Sequence, residues 1–208
     1  MAWGIYLNME YLSTKVANEH IDKMTNTNYT DYSFVDENAF CNNLENGFVC
    51  LTLLNCYFES LLNTILNSCM NCESEKLLRL NIEEKIDLIF LYYKKDFSDI
   101  KSRNEWNIYR QLTRIRNELI HLKITFIGDG TDIPPITFGN MNLIDYFTQE
   151  NMVKCKENVI NLAKLIADKL ELCIYEEIGT FASDGRDGLV NYIYDPKTTP
   201  IDSSRFNN

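Results

Sequence analysis

The sequence predicts an all-α protein, an up-and-down bundle of four or five long helices with a small β-like hairpin or flap. Three observations predict it. Apolar residues recur at steps of three and four along four long stretches. Short polar or Gly/Pro-containing segments separate those stretches. The 208 residues are 45% hydrophobic and 24% charged, enough apolar side chain to bury one core.

Residues 1–35 read as an N-terminal docking segment. Trp3 to Leu12 is rich in aromatic and branched residues and suits a short strand or an irregular docking stretch, while Thr25 to Tyr32 is polar and turn-like. Asp36 is placed as a helix N-cap. From Phe40 onward Leu44, Phe48, Leu51, Leu54, Phe58, Leu61, Leu62 and Ile65 form one core-facing stripe, weakened locally by Gly47. A second helical region, in one or two pieces, runs from about Glu73 to Lys95, with Leu77, Leu78, Ile82, Ile86, Ile89, Phe90 and Tyr93 on its buried side. Asp96 to Ser102 is a polar connection. The third long helix spans about Asn104 to Lys123, and its Ile108, Leu112, Ile115, Leu119 and Leu122 form a heptad-like seam. Gly128 to Pro135 then interrupts the pattern between Ile124–Phe126 and Ile136–Phe138, which predicts the hairpin or flap. A last helix is expected from about Thr148 to Ile178, stopped by Gly179. The tail, 179–208, holds one strand-like run at Leu189–Tyr194.

Thirty acidic and 20 basic side chains give a formal charge of −10, which excludes a uniformly basic nucleic-acid wrapper. No apolar run near the roughly 18 residues of a membrane span is evident, and the N-terminus lacks the layout of a signal peptide. The seven cysteines are irregularly spaced, so they read as reduced thiols of a cytoplasmic protein. Cys69 and Cys72 form a lone CxxC without the further ligands a zinc site needs. Neither a metal nor a cofactor is expected.

The third helix concentrates the chemistry. From Lys101 to Lys123 the chain carries six basic and two acidic side chains, +4 in all, against −14 for the remaining 185 residues. A polyanion is drawn to this helix and repelled by much of the rest. Arg110, Arg114, Asn117 and His121 step by four, three and four, and so share a polar stripe roughly opposite the apolar seam. Arg116 sits on the flank, beside Tyr109, Thr113, Ile120 and Lys123. A neutral imidazole accepts a proton from a ribose 2′-hydroxyl near pH 7. A guanidinium holds a phosphate and stabilises its transition-state charge. Together they suffice for RNA cleavage without a metal, because the ribose supplies the nucleophile. His20, the other histidine, lies in a polar stretch and is given no role.

The segment Arg116-Asn117-Glu118-Leu119-Ile120-His121 resembles the signature of the HEPN superfamily: an Arg, usually followed by a polar residue, and a His after four to six intervening residues. The signature typically lies late in a long helix of an all-α bundle, as here. In layout the resemblance covers residues 36–178, read as an HEPN-like helical domain. It implies a metal-independent endoribonuclease of the toxin–antitoxin, abortive-infection or phage-defence kind. Such proteins usually act as homodimers whose Arg and His line one composite cleft. By position, Arg116 would stabilise the scissile phosphate, His121 would transfer protons and Asn117 would orient the site. Arg114 also fits the looser spacing. With Arg110 and Lys123 it is assigned to RNA binding. A cognate antitoxin is a candidate partner. One toxin subgroup has a Tyr two residues after the His, modified by its antitoxin; Lys123 stands there, so control by that modification is not expected. Some HEPN domains are non-catalytic dimerisation or nucleotide-binding modules, a second reading the sequence leaves open. A helical interaction protein that bears the motif by chance is the third.

Overall fold

Side chains that recur every three or four residues wind into helix, and helix accounts for most of the residues that the structure, a computed structural model, describes: 9–30, 35–70, 75–121, 137–138, 141–180 and 187–194. The chain divides into two units, Ser13–Cys56 with Asn104–Asn161, and Met1–Leu12 with Tyr57–Arg103 and Leu162–Asn208.

In the first unit, helix α1 spans Met9–Ile21, its first residues belonging to the second unit. Met9 to Leu12 is therefore helical, not a strand or irregular segment. Ser13, Ala17 and Ile21 are buried at steps of four, and a serine in that stripe masks its apolar period. Helix α2, Glu37–Thr64, starts where expected: Asp36 Oδ1 accepts the backbone N–H groups of Asn38 and Ala39 at 3.0 and 3.1 Å. Phe40, Leu51 and Leu54 are buried, and Leu44 and Phe48 are half-buried. Gly47 is required by packing: a Cβ there would come within 2.8 Å of Cε1 of the fully buried Phe147 ring.

The loop between α1 and α2 is held by buried asparagines. Asn43 Oδ1 accepts the Thr25 N–H at 2.9 Å, and Asn43 Nδ2 donates to Asn28 Oδ1 at 2.6 Å. Asn28 Nδ2 in turn donates to the carbonyls of Ile144 and Phe147. These carbonyls belong to the turn of helix α7, Leu143–Tyr146, and the residue after it. Helix α8, Gln149–Leu170, begins against the same loop. The N–H of Gln149 donates to Thr25 O at 2.9 Å and that of Glu150 to Asn26 Oδ1 at 3.0 Å, so two of the orphan donors of a helix N-terminus are satisfied. His20 Nδ1 lies 2.8 Å from Asn46 Oδ1, a structural contact. Strands β1, Thr137–Phe138, and β2, Met141–Asn142, pair antiparallel. The expected hairpin partner of Ile136–Phe138, Ile124–Phe126, lies outside the described residues, as does the Gly128–Pro135 flap.

In the second unit, α2 continues through Tyr57, Phe58, Leu61 and Leu62, all buried, into a π-helical turn at Ile65–Cys69. The expected second helical region is two pieces, α3 (Glu75–Leu78) and α4 (Ile82–Tyr92), the latter opened by a reciprocal capping box between Asn81 and Glu84. The Asp96–Ser102 connection contains a helical turn, α5 (Ser98–Lys101), because Phe97 and Ile100 are buried. Lys85 on α4 is fully buried and its Nζ meets Glu59 Oε1 at 2.6 Å.

The last helix corrects the sequence reading. It ends at Leu170, not Ile178, in a Schellman turn: Leu172 N–H donates to Ala167 O at 2.9 Å and Glu171 N–H to Asp168 O at 3.1 Å, with Glu171 left-handed at φ 59°. Residues 173–180 become strand β3, Cys173–Thr180, paired antiparallel with β4, Asp187–Tyr194. Ile174, Tyr175 and Ile178 suit a strand better than a helix. Gly179 faces Gly188 in that ladder and is no helix stop. Helix α4 closes in the same manner, with Lys94 at φ 53° and Lys95 N–H donating to Phe90 O at 3.0 Å.

Among the described residues one helix, Glu37–Asn67, is long and apolar enough by composition to cross a membrane, against the expectation of no such run; over half of its most apolar 18-residue stretch is buried within the fold.

Candidate functional site

Helix α6, Asn104–Ile120, carries the motif; it begins where expected, and the expected end at Lys123 lies outside the described residues. Trp106, Tyr109, Leu112 and Ile115 are buried along it, while Ile108 and Leu119 of the expected seam are half-buried. Its buried face is therefore turned toward Tyr109. The reason is polar as well as apolar: Thr113 Oγ1 donates to Asn55 Oδ1 of α2 at 2.8 Å, and Tyr109 Oη approaches the same oxygen at 3.4 Å.

On the other side Arg110, Arg114, Asn117 and His121 are all exposed. The structure thus brings these four expected residues onto one solvent-facing side of α6. His121 closes the last turn, its N–H donating to Asn117 O at 3.1 Å. Lys123 lies outside the described residues.

Arg116 behaves differently. It follows Tyr109 and Thr113 along the flank that meets Asn55, and it is half-buried. Its Nε is buried and, among the described residues, has no hydrogen-bond partner. A buried donor left unpaired costs about 1–3 kcal/mol. Arg116 and His121 are five residues apart, about 140° around the helix and about 7.5 Å along it. Within one copy they leave α6 on different sides.

No match to this chain is found among protein-family models, curated proteins or solved structures.

A second feature of the same unit escapes motif reading. An open groove of about 460 Å³ lies between α6 and the β2–α7–α8 segment, lined among others by Gln111, Asn142, Asp145, Asn151 and Lys154. Asp145 and Glu150 are its carboxylates, and Asp145 is held in place by neighbours. Tyr29 Oη donates to Asp145 Oδ1 at 2.8 Å and Asn142 Nδ2 to Oδ2 at 3.0 Å. That hydrogen bond to a carboxylate, with burial, raises the Tyr29 hydroxyl above its ordinary value. Gln111 comes from α6 and Asn151 and Lys154 from α8, while Asn142 and Asp145 come from short elements with little periodicity, so only the Asn-x-x-Asp start of α7 hints at the groove in sequence. Among the described residues no group of three or more His, Cys, Asp or Glu side chains is placed to hold a metal ion.

Proposed function

We propose that the chain is a metal-independent endoribonuclease of the HEPN type, a toxin or phage-defence effector, whose site is completed by a second copy. The observation that carries this reading is the half-buried Arg116, whose Nε has no hydrogen-bond partner among the described residues, on the helix whose end exposes His121. An up-and-down HEPN-like bundle is part of the same proposal. In it, Arg110 and Arg114 draw the RNA backbone to the exposed side of α6. Arg116 holds the scissile phosphate. His121 takes the proton of the 2′-hydroxyl as that oxygen attacks phosphorus, and the 5′-oxygen leaves with a proton returned by an imidazole. The products are a 2′,3′-cyclic phosphate and a 5′-hydroxyl. Asn117, exposed between the two residues, orients the phosphate.

The roughly 140° separation of Arg116 and His121 also favours a second reading, a non-catalytic dimerisation or RNA-binding module. One experiment separates the two. Purified chain is incubated with total RNA and transfer RNA in EDTA, beside Arg116→Ala and His121→Ala. The nuclease reading expects cleavage that survives EDTA, ends in cyclic phosphate and disappears in both variants. RNA binding without cleavage in all three proteins supports the module. Cleavage unchanged in both variants rejects the site.

A further inference from the structure

The groove beside α6 faces the ligand with acceptors. Asp145 uses each carboxylate oxygen once, for Tyr29 and for Asn142, and an ionised carboxylate has about four lone-pair sites. Asn151 commits one hydrogen of its Nδ2 to Tyr146 O at 2.8 Å, and its Oδ1 remains an acceptor. Gln111 turns its Nε2 toward Met141 Sδ at 3.8 Å, and its carbonyl adds a further acceptor. Among the described lining residues the cationic donor is Lys154, ion-paired at 2.7 Å on the exposed surface of α8 with Glu150, a second carboxylate that lines the groove.

We propose that this groove is a nucleobase subsite selective for guanine. The proposal rests on the ribonuclease reading only for its biological purpose; the chemistry stands on the groove. Guanine alone among the four bases presents two adjacent donors, N1–H and the N2 amine, which match the two oxygens of one carboxylate. Its O6 and N7 are acceptors, the complement of an ammonium. Adenine and cytosine would turn a ring-nitrogen acceptor toward Asp145, and uracil would offer one donor between two carbonyls. The volume of about 460 Å³ accommodates a base with its ribose. Gln111 stands between Arg110 and Arg114 in α6, so a base seated here leaves its phosphates beside the exposed arginines.

The test is binding of the four nucleoside 3′-monophosphates to the full chain in EDTA, by calorimetry, with melting curves for every variant. The guanine nucleotide is expected to bind about tenfold or more tighter than the other three. Asp145→Asn replaces one acceptor by a donor while keeping an oxygen for Tyr29, and should abolish the preference. Lys154→Ala, at an exposed position, should weaken the guanine nucleotide several-fold without changing the melting temperature. Equal affinities, no binding, or a preference that survives Asp145→Asn would overturn the subsite. RNA cleavage without guanine preference would reject the subsite and leave the ribonuclease standing. Guanine-selective binding without cleavage would do the reverse.

Discussion

Asn43 is the residue on which the α1–α2 loop turns, and its replacement by Ala gives a quantitative test of the fold. The side chain is fully buried: its Oδ1 accepts from the Thr25 N–H, and the two hydrogens of its Nδ2 are shared among Thr25 O, Thr25 Oγ1 and Asn28 Oδ1. Thr25 is exposed, so water replaces the bonds to it at little cost. Asn28 is 1% exposed and its Nδ2 is already committed to Ile144 and Phe147, so its Oδ1 is stranded. An unsatisfied buried acceptor costs about 1–3 kcal/mol. Lost packing of the Asn43 side chain adds about 1 kcal/mol. The expected destabilisation is about 2–4 kcal/mol, measured as a shift of the urea midpoint at constant slope. Asn43→Asp should be at least as damaging, because it sets an acceptor against Asn28 Oδ1. A loss below about 0.5 kcal/mol, the range of an ordinary surface substitution, would refute the network as a structural element.

Gly47→Ala should destabilise the protein despite the higher helix propensity of Ala, because the new methyl meets the Phe147 ring; a raised urea midpoint would contradict that contact. Lys94→Gly should stabilise by about 0.5–1 kcal/mol by removing a left-handed non-glycine residue from the end of α4; an unchanged or lower melting temperature would count against the turn. Burial pushes the Cys50 thiol from its ordinary value near 9 up to about 12. The raised folded value means that the unfolded chain gives up its proton first, so this contribution to stability is complete below pH 9 and is lost as pH rises toward 12. Cys50→Ala should flatten the alkaline fall of the unfolding free energy, and an unaltered slope would show that Cys50 is not its source.

The helices that carry long stripes were legible in the sequence because burial selects one face and therefore a period. The α2 stripe from Phe40 to Ile65 and the N-cap at Asp36 are of this kind. What escaped detection is local and polar. The α1 stripe runs through Ser13, and a serine does not register as core. The end of α8 is set by a Schellman turn built on Glu171 instead of glycine, so the stop signal that marks most such turns is missing. Gly179, read as that stop, belongs to a strand ladder, opposite Gly188. On α6, spacing correctly placed Arg110, Arg114, Asn117 and His121 on one exposed side and Arg116 on the flank. It did not show that the flank meets Asn55, because Thr113 and Tyr109 draw the helix toward α2 through hydroxyl groups that hydropathy ignores. The groove joins Gln111 to Asp145 and Lys154, more than 30 positions away, a distance over which pattern reading has no reach.

The central claim is that Arg116 of one copy and His121 of another form one cleavage site. The most direct measurement is RNA cleavage by an equimolar mixture of Arg116→Ala and His121→Ala proteins, mixed and allowed to exchange subunits. Each variant alone should be inactive. The mixture should regain a substantial fraction of wild-type cleavage, because a mixed dimer restores one site with an intact Arg116 from one copy and an intact His121 from its partner. A mixture as inactive as its components, with subunit exchange demonstrated, would contradict a site shared between copies.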